Sequence, residues 1–352
     1  IGTGPKVARL ERMLEDYTGA PHVRCVSSCT AALMLSMRAL GVRAGDEVVL
    51  PSMTFVATAN AVEQLGAIPV LVDSADGGGL LSLEAVEAAI GERTAAILPV
   101  HLAGQPCDLD ALGAIANRHD VALIEDAAHA IGASWRGRRI GAHGNTVAFS
   151  FYVTKNMTTI EGGAIATSDA AVAETVERLA LHGLSAGAWQ RYSDTGFRHY
   201  EVVEPGYKFN MTDVQAAVGI HQLPRLDGWG ERRRALWETY DRELADLPLR
   251  LPRLDEPAGT VHARHLYRVQ SHEVDRDDLI ERLIERGIGT GVHYRAVHLH
   301  PYYRDRYGLR PEDFPLATEA SNTTLSLPLA GGLSDSEQAR VIRALSSALG
   351  RG

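Results

Sequence analysis

Lys155 sits in the run Ser150-Phe151-Tyr152-Val153-Thr154-Lys155-Asn156, and Glu161-Gly162-Gly163 follows it. A lysine held after an apolar run and beside a glycine-rich turn could form a Schiff base with a carbonyl. Taken alone it reads more readily as a surface lysine capping a loop, because most lysines are exposed. Asp126 closes the run VALIED, and Ala127-Ala128-His129 follow. A carboxylate there could hold a proton on a cationic ring; it could equally cap a helix. His129 falls one helical turn beyond Asp126 if the segment is helical. Alone, it reads more simply as a satisfied interior histidine. The small residues Ser27-Ser28-Cys29-Thr30-Ala31-Ala32 would let backbone N–H groups face an anion at a helix N-terminus, or would make a tight connection and no more. Phe55, in Pro51-Ser52-Met53-Thr54-Phe55, could stack on a flat cofactor or pack into a core.

These residues need elements to position them, and the hydrophobic pattern supplies those. Short runs rich in Val and Ile predict strands over 22–28, 47–51, 69–73, 95–101, 121–126 and 146–152. Helical patterns lie over 5–18, 29–40, 56–66, 82–91, 108–119 and 169–183. This alternation predicts an α/β fold: a mainly parallel sheet with helices on both faces. In such sheets ligands bind beyond the carboxyl ends of the strands, where each candidate above falls. Residues 184–210 have no clean period, which suits a functional loop or an interface. Thr212 and Gln215 form a capping-box pattern, and a charged helix follows Pro224 through Trp229, Trp237 and Tyr240. We expect a large domain over 1–230 and a smaller C-terminal α+β domain over 231–352. The last helix opens at Ser334 and Glu337, buries Val341, Ile342, Leu345 and Leu349, and stops at Gly350.

The 352 residues suit two domains. With 35 Lys and Arg against 44 Asp and Glu, the net charge is −9. That argues against a nucleic-acid polymer or an anionic membrane as partner, though not against one small anion in a local pocket. Cys25, Cys29 and Cys107 cannot all pair, and Cys25 and Cys29 lack the second pair of a zinc site. No disulfide framework and no metal are expected, and a cytoplasmic setting is. No run reaches the roughly 18 apolar residues of a membrane span, and no signal-peptide pattern opens the sequence. It begins at Ile1 within what reads as a loop, so a preceding segment is expected. A phosphate-binding P-loop, a dinucleotide Gly-x-Gly-x-x-Gly after the first strand, His-Glu-x-x-His and Gly-x-Ser-x-Gly are all absent. Gly287-Ile288-Gly289-Thr290-Gly291 lacks the third glycine at the right spacing.

Taken in order, the candidate sites resemble the sugar aminotransferase branch of the fold type I pyridoxal-phosphate enzymes, the DegT/DnrJ/EryC1/StrS family. The strings that carry the likeness are PSMTFVATANAV (51–62), LPVHLAGQPCDLDAL (98–112), IEDAAHAIGA (124–133), SFYVTKNMTTIEGGAI (150–165), EPGYKFNMTDVQAAVGIHQL (204–223) and GTGVHYRAVHLHPYY (289–303). The resemblance implies that Lys155 carries the cofactor and shuttles the proton, while Asp126 keeps the ring nitrogen protonated. It implies His129 against the ring hydroxyl, Phe55 on one ring face and Ala128 under the other. Cys29, Thr30 and Ser150 would hold the phosphate, with Asn210 reaching it from a neighbouring subunit, so a homodimer with shared sites is expected. Many relatives have Gly where this chain has Cys29, and a few dehydratase relatives have His in place of Lys155.

The same resemblance implies pyridoxal 5'-phosphate as cofactor, pyridoxamine 5'-phosphate as its second form, and an amino donor such as L-glutamate. The acceptor would be a nucleotide-linked keto sugar, with Arg198, Lys208, His293, Tyr294 and Arg295 as candidate contacts. The strings around 199–210 and 291–304 look most like members that aminate C4 of a dTDP-4-keto-6-deoxyhexose for natural-product glycosides. Amination at C3 and a UDP-linked 4-keto sugar are the alternatives. Two other classes stay open: a cofactor-binding regulatory protein without turnover, and an unrelated nucleotide-binding α/β protein.

Overall fold

The computed structural model describes residues 3–75, 78–184, 201–253 and 257–350. The first half alternates as expected: α1 (Pro5–Thr18), β1 (His22–Val26), α2 (Cys29–Ala39), β2 (Glu47–Pro51), α3 (Val56–Gln64), β3 (Ile68–Val72), α4 (Leu83–Ala89), β4 (Thr94–Ile97), α5 (Leu109–His119) and β5 (Ala122–Ala127). A two-stranded ribbon of β6 (Ser134–Trp135) and β7 (Arg138–Arg139) follows, then β8 (Thr146–Ser150), β9 (Gly163–Thr167) and α6 (Ala170–Ala180). Side chains that accept orphan N–H groups fix the helix starts: Ser28 at α2, Asp108 at α5 and Asp169 at α6.

These strands form one seven-stranded sheet in the order β1-β9-β8-β5-β4-β2-β3. All run in one direction except β9, which is antiparallel to both neighbours. The pattern reading did not include β9, because Gly163-Ala164-Ile165-Ala166-Thr167 is short and built of small residues. The connections after β1, β2, β5 and β8 therefore emerge at one edge, and β9 begins there. One core lies between the sheet and α1 with α7 (Asp213–Gln222), through Val7, Leu10, Leu14, Phe149 and Ala216. The other lies under α2, α3 and α6, through Leu33, Leu35, Met37, Val62 and Val176. The sheet is buried on both faces, as a mainly parallel sheet must be.

Thr212 and Gln215 form the expected capping box at α7, and α8 (Leu226–Glu243) follows. This helix runs unbroken through position 230: Leu226 packs in the first core, whereas Trp237 and Tyr240 pack in a third. That third core belongs to the smaller α+β part. Its antiparallel sheet joins β10 (Leu249–Arg250), β11 (Tyr267–Ser271) and β12 (Thr324–Leu327). The helices α9 (Arg276–Glu285) and α12 (Asp335–Ala348) cover it, α12 opening with the expected Ser334–Glu337 capping box. Between them α10 (Pro301–Tyr307) and α11 (Pro315–Thr323) return to the large sheet, where Ala317 N–H donates to Asp73 at 2.7 Å. Of the irregular segment, 201–210 is extended and bridges to Val26, Leu181 and Leu184; 185–200 lie outside the described residues. Among the described residues, no helix is long and apolar enough to cross a membrane.

Candidate active site

Asp126 occupies the end of the central strand β5, with its backbone held on both sides. Its N–H donates to Pro99 O at 2.9 Å, and its carbonyl accepts from His101 N–H at 3.0 Å. Adjacent strand residues face opposite sides of a sheet. Glu125 accordingly turns away and accepts from Asn145 Nδ2 at 2.7 Å, while its other oxygen lies 2.9 Å from His101 Nε2. No helix follows Asp126: residues 128–129 form a turn, so the helix-cap reading fails and His129 is not one helical turn away. The Asp126 carboxylate instead accepts from Ala128 N–H at 3.0 Å and from the Thr58 hydroxyl at 2.9 Å. Thr58 in turn contacts Thr54 Oγ1 at 2.8 Å. Burial raises the carboxyl's pKa above its ordinary value, and these bonds and the nearby Lys155 partly offset it. A cation placed against this carboxylate would restore its ionised form.

Lys155 comes from the loop after β8. Tyr152 O accepts its backbone N–H at 3.0 Å. The loop is pinned at several points: Phe151 N–H to Gly162 O, Thr159 N–H to Phe151 O, and Asn156 Nδ2 to Ala263 O. Burial lowers the Lys155 pKa, with Cys29 and Asp126 opposing, so more free amine is present near neutral pH than for an exposed lysine. A partly desolvated amine of this kind is a competent nucleophile and base.

His129 lies beside both. Its Nδ1 accepts from Ala103 N–H at 3.1 Å, so that nitrogen is unprotonated and Nε2 carries the hydrogen. Nε2 then donates to Tyr294 Oη at 3.0 Å. Burial holds the ring neutral, far below its ordinary pKa, and adjacent Lys155 acts in the same direction. His265 packs against it with ring centroids 4.4 Å apart, and its Nδ1 is fixed by Asn156 Oδ1 at 3.0 Å.

These groups line a cavity of about 520 Å3 at the edge where the parallel strands end. Cys29, Thr30, Phe55, Asp126, Ala128, His129, Ser150, Lys155, His293 and Tyr294 all face it. Ser28 Oγ takes Ala31 N–H, so the first N–H groups of α2, at Cys29 and Thr30, have no partner within the helix. A Cβ on Gly163 would come within 2.6 Å of the Ser28 carbonyl, so glycine there lets β9 press against this loop. Phe55 leaves 55 % of its surface exposed above the cavity, 5.4 Å from the Tyr294 ring. An amine, a buried carboxylate, an aromatic face, small Ala128 and an anion-ready helix end fit pyridoxal phosphate.

Other expected residues lie elsewhere. Asn210 faces a separate cavity with Thr3, Glu11 and Arg24; its Oδ1 accepts from Lys208 Nζ at 2.6 Å and its Nδ2 donates to Thr3 Oγ1 at 3.0 Å. Lys208 and Arg295 are exposed outside the active-site cavity, Arg295 donating to Leu299 O at 3.1 Å. Arg198 lies outside the described residues. His293 is in the cavity, but burial lowers its pKa to about 4, so it offers a hydrogen bond and not a charge. Thr58, Thr54, Tyr152, Glu161 and the Asn156–His265 pair were missed from the sequence; all but His265 lie in the family-like strings, which carried the only signal.

A model of the DegT/DnrJ/EryC1/StrS aminotransferase family matches residues 1–346. The spore coat polysaccharide biosynthesis protein SpsC of Bacillus subtilis is 43 % identical over 350 residues, 98 % of this chain and 90 % of SpsC. DesV of S. venezuelae superposes with a TM-score of 0.91 at 38 % identity, covering 100 % of this chain and 91 % of DesV. The sugar aminotransferase Spr1654 of Streptococcus pneumoniae in its PMP form gives 0.93 at 31 % identity, over 100 % and 93 % of the two chains. Its PLP form gives 0.91. The chain belongs to the DegT/DnrJ/EryC1/StrS aminotransferase family and is a pyridoxal-phosphate-dependent sugar aminotransferase.

Proposed function

We propose that this chain transfers the amino group of L-glutamate to C4 of a dTDP-4-keto-6-deoxyhexose, giving a dTDP-4-amino-4,6-dideoxyhexose. The observation that carries the reaction class is the convergence of Lys155 and Asp126 on one cavity, with His129 fixed as a donor between them and Tyr294. When bound, pyridoxal phosphate supplies an electron-accepting ring that stabilises charge on the substrate carbon. Lys155 is the residue that holds the cofactor's carbonyl carbon. Its amine takes the proton from the donor's Cα and, in the second half, delivers one to the sugar carbon. Asp126, oriented by Thr58 and Ala128 N–H, keeps the ring nitrogen protonated. His129 donates Nε2–H toward the ring hydroxyl. Cys29 and Thr30 N–H groups and the Ser150 hydroxyl would hold the phosphate, and Phe55 and Ala128 would pack against the ring. His293 and Tyr294 meet the sugar.

We place the division between the domains inside α8, with 1–230 and 231–352 as the two parts. The working form is a homodimer in which Asn210 and Lys208 enter the partner's site, and Arg198 and Arg295 serve the nucleotide diphosphate. Support comes from Asn210 lying outside its own protomer's active-site cavity. Phe55 at that cavity, and Val153 and Ile160 in the loop that carries Lys155, also expose 55 %, 54 % and 60 % of their surfaces. The C4 assignment rests on the strings around 199–210 and 291–304. Incubation with 15N-labelled L-glutamate and dTDP-4-keto-6-deoxyglucose, read by mass spectrometry and NMR, tests it. Label on C4 is the expected product; label on C3, or none with any 4-keto sugar, rejects the assignment.

A further inference from the structure

A second cavity, of about 200 Å3, lies between the turn at residues 102–104 and the small domain. Ala103 lines it, and the N–H of the same residue fixes His129 in the active site. Its charged lining is arginine: Arg250, Arg253 and Arg268, beside the polar His262, Thr324, Gln105 and Gln270. Arg268, on β11, is only 9 % exposed; one Nη donates to Gly78 O at 2.8 Å, and its Nε has no partner. Burial lowers the Arg268 pKa to about 10, which leaves it charged. Thr324 is fully buried at the start of β12, and its hydroxyl has no partner. His262 Nδ1 accepts from Arg264 N–H at 2.7 Å, so Nε2 bears the hydrogen of a neutral ring. Arg250 and Arg253 also line the cavity, and among the described residues neither forms an ion pair. No carboxylate is among the described lining residues.

Guanidiniums that, among the described residues, gather without a carboxylate are unusual on a chain of net charge −9, where Arg139, Arg178 and Arg232 each find an acid. Such a set recognises an anion, and guanidinium forks match carboxylates best when several converge. The volume is below the roughly 300–1,000 Å3 of pockets for larger organic ligands, so a nucleotide sugar is too big. Arg268 sits at the buried end and Arg253 at the exposed rim, which suits a ligand charged at both ends. Nothing anionic in the described lining would hold an ammonium, so a 2-oxo dicarboxylate fits better than the corresponding amino acid.

We propose that this cavity is a separate site for a small 2-oxo dicarboxylate, the class of product that a glutamate-driven transamination releases. Only the identity of the dicarboxylate rests on the donor reading above. A ligand there would bear on Ala103 and so on the hydrogen bond that sets His129. Product released by the first half-reaction would thereby be sensed one turn away from the chemistry.

Calorimetric titration of the borohydride-reduced holoenzyme, which cannot turn over, with 2-oxoglutarate tests the site. Arg250→Gln and Arg253→Gln are the informative variants, because both residues lie outside the active-site cavity and neither is fully buried. Saturable binding that weakens by about tenfold or more in each variant is expected. L-glutamate and inorganic phosphate should bind more weakly than 2-oxoglutarate. No binding, equal binding by both variants, or tighter binding of phosphate would overturn the proposal. If succinate binds with the same dependence on Arg250 and Arg253 while L-glutamate fails as donor, the dicarboxylate site stands and only the donor reading falls.

Discussion

At His129 a single backbone contact decides what the side chain can do. Ala103 N–H occupies Nδ1, so the neutral ring can only donate from Nε2. Gln has the same pairing of an acceptor and a donor on one amide, whereas Leu has neither. We therefore expect His129→Gln to keep most of its turnover and His129→Leu to lose about tenfold to a thousandfold, as for removal of one donor at a developing charge. Parallel pH profiles check this: a normal profile for the Leu variant would remove the hydrogen-bond role. Lys155 and Asp126 stood out in the sequence by their place at the ends of apolar runs, but only the family resemblance of their strings lifted them above a surface lysine and a helix cap. Thr58 did not stand out, since threonine is common and its bond to Asp126 spans 68 positions. The Asn156–His265 contact spans 109 positions and leaves no local pattern at all.

At the scale of elements, the site depends on how closely β9 approaches the loop between β1 and α2. A methyl at Gly163 would lie 2.6 Å from the Ser28 backbone and 2.7 Å from Cys29 N, where no flexible side chain can yield. Gly163→Ala should push the α2 N-terminus away from the cavity and weaken pyridoxal phosphate retention by about tenfold or more, a shift of one helix end being felt throughout a close-packed core. Dialysis followed by cofactor absorbance measures it; wild-type retention would show that the α2 terminus does not hold the phosphate. Of the sheet, the strands of large Val and Ile residues were legible and β9 was not. Small residues bury little apolar area, so they leave a weak signal where two backbones must come close. The Asp126–His129 segment misled in another way: its alanines suit a helix, but Asp126 spends its carboxylate on Ala128 N–H and turns the chain.

Across the whole molecule, the acidic charge conceals local departures in both directions. The arginine-lined cavity is one. Glu11 on α1 is another: it accepts Cys25 N–H at 2.9 Å, and burial raises its pKa to about 7. Its folded pKa exceeds the ordinary value of 4.5, so the folded state binds the extra proton. The resulting stability is fully present below pH 4.5 and is lost as pH rises through about 7. Glu11→Gln should therefore stabilise the chain more at pH 8 than at pH 5, by on the order of 2 kcal/mol. Denaturant unfolding at the two pH values decides it, and an equal effect at both would contradict the assignment. The expectation of two parts rests on length and on the change of pattern over 184–210. The continuity of α8 through both cores was not legible, because a helix that changes partners keeps one period throughout.

The central claim is that Lys155 both holds the cofactor and moves the proton. A single-turnover reaction of the cofactor-loaded enzyme with L-glutamate, followed by visible absorbance, tests it most directly. The wild type should show a band that borohydride bleaches and that L-glutamate converts to the pyridoxamine form. Lys155→Ala should bind the cofactor without that bleachable band and should not convert it. Conversion by Lys155→Ala at the wild-type rate would contradict the account.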